Sequence, residues 1–351
     1  MTRSVSVKKL LISAGCLAAI LVATAAAITS GCDVSALRRD LLSADPAYIA
    51  VAFACMAGFV CCESANIGRV LHCLEGESKG ALRYLKYGAA GYFFSGITPS
   101  ASGGQPMQLY FMHRDGTEIS DGSLALLMEG LGYQISSMLF AAAGVVYNFD
   151  LLKSLGAGVR AVLITGASIN LVLIVLLSGV IFSDRFAAGA EKFMKSVSAK
   201  FSRRDRTEDI EKQFVKYREG SALIRKYPSL FMKNILTALI QMAMLFTIPY
   251  LVSLSIGCAG GDWLRFMLLE AVLTAGISFV PVPGCAGAGE GFFRLVFASV
   301  FPADKLMSGM ILSRGISPYS GIVFTGILLA AYIVADSFGP GRQAAGTPGP
   351  N

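Results

Sequence analysis

Six ionisable residues stand inside otherwise apolar runs of this chain: Glu63, Glu129, Glu270, Glu290, Arg294 and Arg314. A charge at the centre of a bilayer costs roughly 2.5 to 3.5 kcal/mol on insertion scales, so each must reach an interface, a partner or a polar cavity. Glu290 and Arg314 are the sharpest, because each adjoins a break in its apolar run. Glu290 could hold a cationic amine, and Arg314 could pair with a phosphate or with Glu290. Glu63, Glu270 and Arg294 have the alternative of snorkelling to an interface. Glu129 could face a cavity, as could Arg294, or pair structurally with an arginine. A second set of candidates lies in Thr98-Pro-Ser-Ala-Ser-Gly-Gly-Gln105. The hydroxyls of Thr98, Ser100 and Ser102, the glycine amides of Gly103 and Gly104 and the side-chain amide of Gln105 are the groups with which a helix start holds an anion such as a lipid phosphate.

These residues sit where the chain refuses to be a continuous helix. Tyr87 to Met112 contains no charge, yet its middle reads Gly96-Ile-Thr-Pro-Ser-Ala-Ser-Gly-Gly-Gln-Pro106. Proline removes a backbone donor and glycine costs about 1 kcal/mol in a helix interior, so this segment should break or re-enter. The same happens in the second half at Pro281-Val-Pro-Gly-Cys-Ala-Gly-Ala-Gly-Glu290. One such segment alone could be a kink that lets helices pack closely. Two in matching positions mark internal repeats, in which half-helix ends meet a polar ligand at membrane depth.

The elements that must position them are membrane helices. Of 351 residues 54% are hydrophobic and 15% charged, with a mean hydropathy of +0.61, whereas soluble domains carry roughly 25% charged residues. The expected fold is an all-α polytopic bundle of about 7 to 8 transmembrane helices, each needing roughly 20 apolar residues, with the two broken or re-entrant segments as internal repeats. Apolar runs fall at Leu10 to Ser30, Pro46 to about Cys62, Gly122 to Phe149, Ala161 to Ser183, Asn234 to Gly261, Arg265 to Val280, Gly291 to Phe301 and Met307 to Val334, the last interrupted at Arg314-Gly315 and Pro318. Leu10 to Ser30 is longer than a signal-peptide core and reads as a retained helix. The eight cysteines form no CxxC pair and read as buried free thiols; His72 and His113 are too far apart for a local metal motif. No metal or cofactor is expected. No nucleophile elbow, zinc-protease pair or Walker loop occurs.

The net charge of +7 is local: residues 183–233 hold 13 Lys/Arg against seven Asp/Glu, leaving the rest of the chain nearly balanced. Nucleic acid is therefore not an expected partner. The loop should be cytoplasmic, as should the connection with Arg69, Lys79, Arg83 and Lys86, which places the N-terminus in the cytoplasm. Within the loop Phe186, Ala190, Phe193, Val197 and Phe201 recur at helical steps, as do Ile210, Phe214 and Tyr217. Both pieces read as amphipathic helices on an anionic leaflet. The domain organisation is then a membrane domain over 1–338 and a Gly/Pro-rich disordered tail over 339–351.

Phe93-Phe94-Ser-Gly-Ile-Thr-Pro-Ser-Ala-Ser-Gly-Gly-Gln-Pro-Met-Gln108, Pro281 to Gly291 and Ser313-Arg314 resemble the transmembrane domain of the lysylphosphatidylglycerol synthase/flippase family, to which the multiple peptide resistance factor belongs. The resemblance spans about residues 10 to 336. The chain departs from it in having Gln105 where many relatives have an acidic residue, and Gly289 where many have arginine before the glutamate. The resemblance implies a plasma-membrane translocase of aminoacylated or other phospholipid, or of a lipid-linked intermediate. With only a short segment after the last helix, the C-terminal synthase domain of bifunctional relatives is expected to be absent. The alternatives are an enzyme or enzyme subunit of lipid aminoacylation, acting as or with a phosphatidylglycerol lysyltransferase, and a membrane protein that binds lipid without moving it. Membrane phospholipid is the expected partner, and a separate lipid synthase and a homo-oligomer stay open.

Overall fold

The computed structural model describes residues 34–201, 207–258 and 261–338, all helices and their connections, with no strand among them. The expected helix Leu10 to Ser30 and the tail 339–351 lie outside the described residues. The elements are α1 (Val34–Ser43), α2 (Pro46–Glu75), α3 (Ala81–Ile97), α4 (Gly104–Arg114), α5 (Ile119–Tyr147), α6 (Phe149–Ser154), α7 (Ala157–Phe182), α8 (Asp184–Phe201), α9 (Thr207–Lys226), α10 (Pro228–Ser255), α11 (Trp263–Ile277), α12 (Ala288–Phe297), α13 (Leu306–Arg314) and α14 (Gly321–Phe338). A π-helical stretch, Gly315–Ser320, joins α13 to α14. Helices α2, α5, α7 and α10 and the continuous run Leu306–Asp336 are each long and apolar enough to cross a membrane. The chain is thus an all-α polytopic membrane protein.

Ion pairs and hydrogen bonds at the helix ends sort these elements onto two faces. At one face Lys79 meets Glu75 (2.6 Å), Lys86 meets Asp115 (2.5 Å), Lys216 meets Glu118 (2.5 Å), Arg225 meets Asp184 (3.2 Å) and Arg114 meets Asp336. At the other, the Asp45 amide donates to the Ser255 carbonyl (2.8 Å), the Tyr147 hydroxyl to Asp262 (2.5 Å), and Lys305 to Asp40. Residues 45 and 75 therefore lie on opposite faces, and α2, α5, α7, α10 and the final run cross alternately.

The two interrupted segments do not cross. Helices α3 and α4 are 17 and 11 residues long, roughly 26 and 17 Å at 1.5 Å per residue, against about 30 Å of hydrocarbon. They lie antiparallel: a Cβ on Gly104 would sit 2.9 Å from the Gly91 carbonyl, one on Gly91 would strike the Gln108 amide, and both Lys86 and Tyr87 reach Asp115. This first hairpin enters from the basic face and returns to it. Helices α11 and α12, of 15 and 10 residues, form a second hairpin that enters from the opposite face. Its base is stapled by the Phe266 ring, 5.9 Å from Phe297 and 5.2 Å from Phe301. The turns of the two hairpins, at Pro99–Ala101 and Pro283–Cys285, lie against one another.

Close packing of this kind needs small residues at the crossings. Gly166 of α7 is one: a Cβ there would stand 2.1 Å from the Gly276 carbonyl oxygen of α11. Asn170, one turn on, donates its amide to the carbonyls of Gly166 and Ala275 and to Ser278 Oγ, at 2.8–2.9 Å. Helix α2 runs to Glu75 rather than stopping near Cys62, because its later polar residues Ser64 and Asn66 turn into the bundle and are buried. Both pieces of the basic loop are helices. Helix α9 buries Tyr217, Ser221 and Ile224 against the bundle, with the Tyr217 hydroxyl on the Val180 carbonyl (3.1 Å). Helix α8 leaves Phe186, Phe193 and Met194 exposed. The six cysteines among the described residues are all free.

Candidate functional site

Both hairpin turns are built from backbone that ordinary residues avoid. The non-glycine residues with positive φ among the described residues are Ser100 (50°), Ala101 (54°) and Cys285 (52°), all in these turns. Such conformations cost of order 1 to 3 kcal/mol each and persist only where surroundings enforce them. In the first turn Thr98 is the enforcer. Its hydroxyl donates to the Phe94 carbonyl (2.6 Å) and accepts from the Gly103 amide (2.9 Å), closing the loop that Pro99 opens. Gly103 and Gly104 allow the return strand of the hairpin to press on α3, where a Cβ on Gly104 would lie 2.0 Å from Ser95 Oγ. The side chains of Ser100, Ser102 and Gln105 are left exposed at the tip. Helix α4 starts there with no side-chain cap, so its first amides and the positive end of its dipole point to mid-depth.

The second turn delivers Glu290. As third residue of α12 it caps that helix, with Oε2 accepting from the Gly287 amide (2.6 Å), where Gly287 adopts φ 81°. Its Oε1 accepts from Arg314 Nε (3.3 Å) and from the Tyr319 hydroxyl (2.5 Å). The ion pair is nearly dry, with side chains 4% (Glu290) and 12% (Arg314) exposed. Gly289 explains how the guanidinium gets so near: a Cβ there would be 2.5 Å from Nη2 and 2.8 Å from Cζ of Arg314. The position before the glutamate, having no side chain, leaves room for an arginine from another helix.

Three more carboxylates surround the turns. Glu63 on α2 accepts from Gln108 Nε2 on α4 (2.7 Å) and lies within electrostatic reach of Glu129 on α5. Gln105 reaches α5 beside it, its amide 3.4 Å from where a Cβ on Gly130 would be. Glu270 on α11 lies within reach of Arg314. Its Oε2, like Ser313 Oγ, is buried with no hydrogen-bond partner among the described residues. Tyr92 ties this region together, donating to the Ser317 carbonyl (3.0 Å) from α3.

Of the residues singled out in the sequence, Thr98, Ser100, Ser102, Gly103, Gly104 and Gln105 share the first turn, and Glu290 and Arg314 form a pair beside the second. Glu63, Glu129 and Glu270 lie within the bundle. Arg294 instead points outward, exposed on α12. Sequence reasoning missed Gln108 and Tyr319. Gln108 carried a signal, standing four residues after Gly104 on the same helical face. Tyr319 carried none: five residues beyond Arg314, it comes round to Glu290 only because the chain between them winds as a π-helix.

The chain is 22% identical over 261 residues, 71% of its own length and 76% of the relative's, to a UPF0104 membrane protein of Archaeoglobus fulgidus. The family model of the lysylphosphatidylglycerol synthase TM region matches residues 7–324, and the chain belongs to that family.

Proposed function

We propose that this protein moves phospholipid, aminoacylated phosphatidylglycerol being one candidate, or a lipid-linked intermediate between the leaflets of the plasma membrane. The observation that carries the reading is the meeting of two hairpins, entered from opposite faces, around buried charge at mid-depth. A head group cannot cross hydrocarbon cheaply unless the protein supplies polar partners there. Ser100, Ser102, Gln105 and the first amides of α4 would receive a phosphate, with Thr98 holding the turn in shape. Glu63, Glu129, Glu270 and Glu290 place four carboxyl groups around the one Arg314, which favours a head group that brings N–H donors, such as an amine. The Glu290–Arg314 pair would open to exchange partners with it. Outer surfaces such as Ile164, Val172 and Val175 of α7 stay apolar and exposed, leaving acyl tails in lipid. The face with Lys79, Lys86 and the basic helices would be cytoplasmic by the bias of Lys and Arg, as would the N-terminus.

Reconstituted protein given fluorescent phospholipid in one leaflet should accelerate its appearance in the other. Glu290→Gln and Arg314→Ala should slow it, and unchanged transfer in both would refute these roles. The family's description as part of a synthase favours one second reading, a subunit of lipid aminoacylation. Modification of phosphatidylglycerol by the purified protein with lysyl-tRNA, or by a synthase bound to α8 and α9, would favour that reading over transport.

A further inference from the structure

Away from the hairpin turns, Arg69 of α2 is held in an unusual way. Its Nη1 donates to Asn66 Oδ1 (2.7 Å) and Asn234 Oδ1 (3.0 Å), and its Nη2 to Thr237 Oγ1 (3.0 Å). All three acceptors are neutral, and no carboxylate pairs with this arginine among the described residues. The mount is rigid: Asn66 and Asn234 are fully buried, and Asn66 Nδ2 is itself anchored on the Asn234 carbonyl (3.3 Å). A guanidinium has five N–H donors, of which three are committed here. Two remain, on a group whose orientation the protein has already fixed. Asn234 Nδ2 adds beside it a buried donor without a partner among the described residues.

The depth is informative. Helix α2 has 30 residues, roughly 45 Å, which is the thickness of a bilayer with its head groups. Arg69 lies six residues from its end at Glu75, roughly 9 Å inward. That is the edge of the hydrocarbon on the basic face, from which an arginine side chain can reach the lipid phosphates in the head-group layer just outside it. The seam between α2 and α10 opens outward here: Ala65, one turn from Arg69, and Lys233, one turn from Thr237, are both exposed. An arginine presenting two donors in a planar fork matches the two oxygens of a phosphodiester.

We infer that Arg69, oriented by Asn66, Asn234 and Thr237, is a docking site for the phosphodiester of a phospholipid in the leaflet of the basic face. The site requires no movement of lipid between leaflets, so it stands whether or not the protein transports.

The test uses the full chain purified in detergent and titrated with fluorescent phosphatidylglycerol, with diacylglycerol and inorganic phosphate as competitors. Arg69→Gln should weaken saturable phosphatidylglycerol binding roughly tenfold or more, as expected for charge-assisted hydrogen bonds, and Arg69→Lys should fall between. Because Arg69 also joins two helices, Ala65→Trp provides a second route: it covers the free donors without touching the committed hydrogen bonds and should remove the same saturable component of binding as Arg69→Gln, with an unchanged melting temperature. Diacylglycerol should not compete, and inorganic phosphate should displace lipid only weakly. Unchanged binding in both Arg69→Gln and Ala65→Trp, equal competition by diacylglycerol, or complete displacement by millimolar inorganic phosphate would each overturn the assignment. Leaflet transfer is not read in this assay, so failure of the transport proposal would leave its result standing.

Discussion

The Glu290–Arg314 pair permits a quantitative test of how the second hairpin is held. A glutamine at 290 offers one acceptor where the carboxylate offers two. Whichever side its oxygen serves, its NH2 must face either the Gly287 amide or the Arg314 and Tyr319 donors, which now hold Glu290 at 2.5–3.3 Å. With side chains 4% and 12% exposed, solvent can do little to compensate the guanidinium left behind. Removing one member of such a pair costs about 3 to 5 kcal/mol. Arg314→Gln should cost about the same, because it strands the carboxylate with only Gly287 and Tyr319 as donors. If the two losses were independent the double variant would lose about 6 to 10 kcal/mol, whereas removing both charges together leaves neither member of the pair buried opposite a lost partner.

Glu290→Gln/Arg314→Gln should therefore be no less stable than either single variant, a coupling several times the roughly 0.3 to 0.5 kcal/mol scatter of independent sites. The measurement is unfolding of purified protein in detergent, followed by circular dichroism for the whole bundle and by fluorescence for the hairpin base. The single tryptophan, Trp263, sits at that base with its Nε1–H on Thr247 Oγ1 (3.1 Å). Additive losses in the double variant would refute the claim that these two residues stabilise the fold through each other. Stability and transfer are separable here: the double variant should fold and yet move lipid slowly.

Three further perturbations have defined outcomes. Gly166→Ala should destabilise by about 1 to 3 kcal/mol or more, because its Cβ would stand 2.1 Å from the Gly276 oxygen and 2.5 Å from that carbonyl carbon; an unchanged melting temperature would show that α7 is not packed this closely. Thr98→Val removes the donor to Phe94 and the acceptor for Gly103 and should cost about 1 to 3 kcal/mol, while Thr98→Ser should restore it; equal loss in both would mean the hydroxyl does not hold the turn. At the face opposite the basic one, burial pushes the Asp40 carboxyl up, but hydrogen bonds from Lys305 and Ser308, with the charges of Lys305 and Arg39, outweigh it and hold it below its ordinary 3.8. A depressed carboxylate stabilises fully above its unfolded value and loses that contribution as pH falls through its folded one. Asp40→Asn should thus melt below wild type at pH 7, with the gap closing below about pH 3.8; a constant gap would show that charge is not its cause.

How far the sequence could be read follows from what each signal does physically. Proline and glycine act locally, through a missing donor or a missing Cβ, so Pro99, Gly103 and Gly104 and the Pro281 to Gly289 stretch announced both breaks without any knowledge of their neighbours. Whether the chain crossed or turned back after each break was not legible. That depends on length against bilayer thickness and on contacts such as Gly91 with Gly104, which residue types alone do not declare. Glu290 and Arg314 were conspicuous because a charge in an apolar run must be answered. That they could pair is readable from the sequence; how closely they do so is not, since it depends on Gly289 having no side chain and on the π-helical winding that brings Tyr319 to the same carboxylate. In the sequence Arg69 belongs to a basic connection, because its apolar run ends near Cys62. Only with α2 continuing to Glu75 do Asn66 and Arg69 share one helical face with Asn234 and Thr237 of α10. Period and composition locate the helices; close approach and hydrogen-bond saturation, which are properties of pairs, decide what the charged residues do.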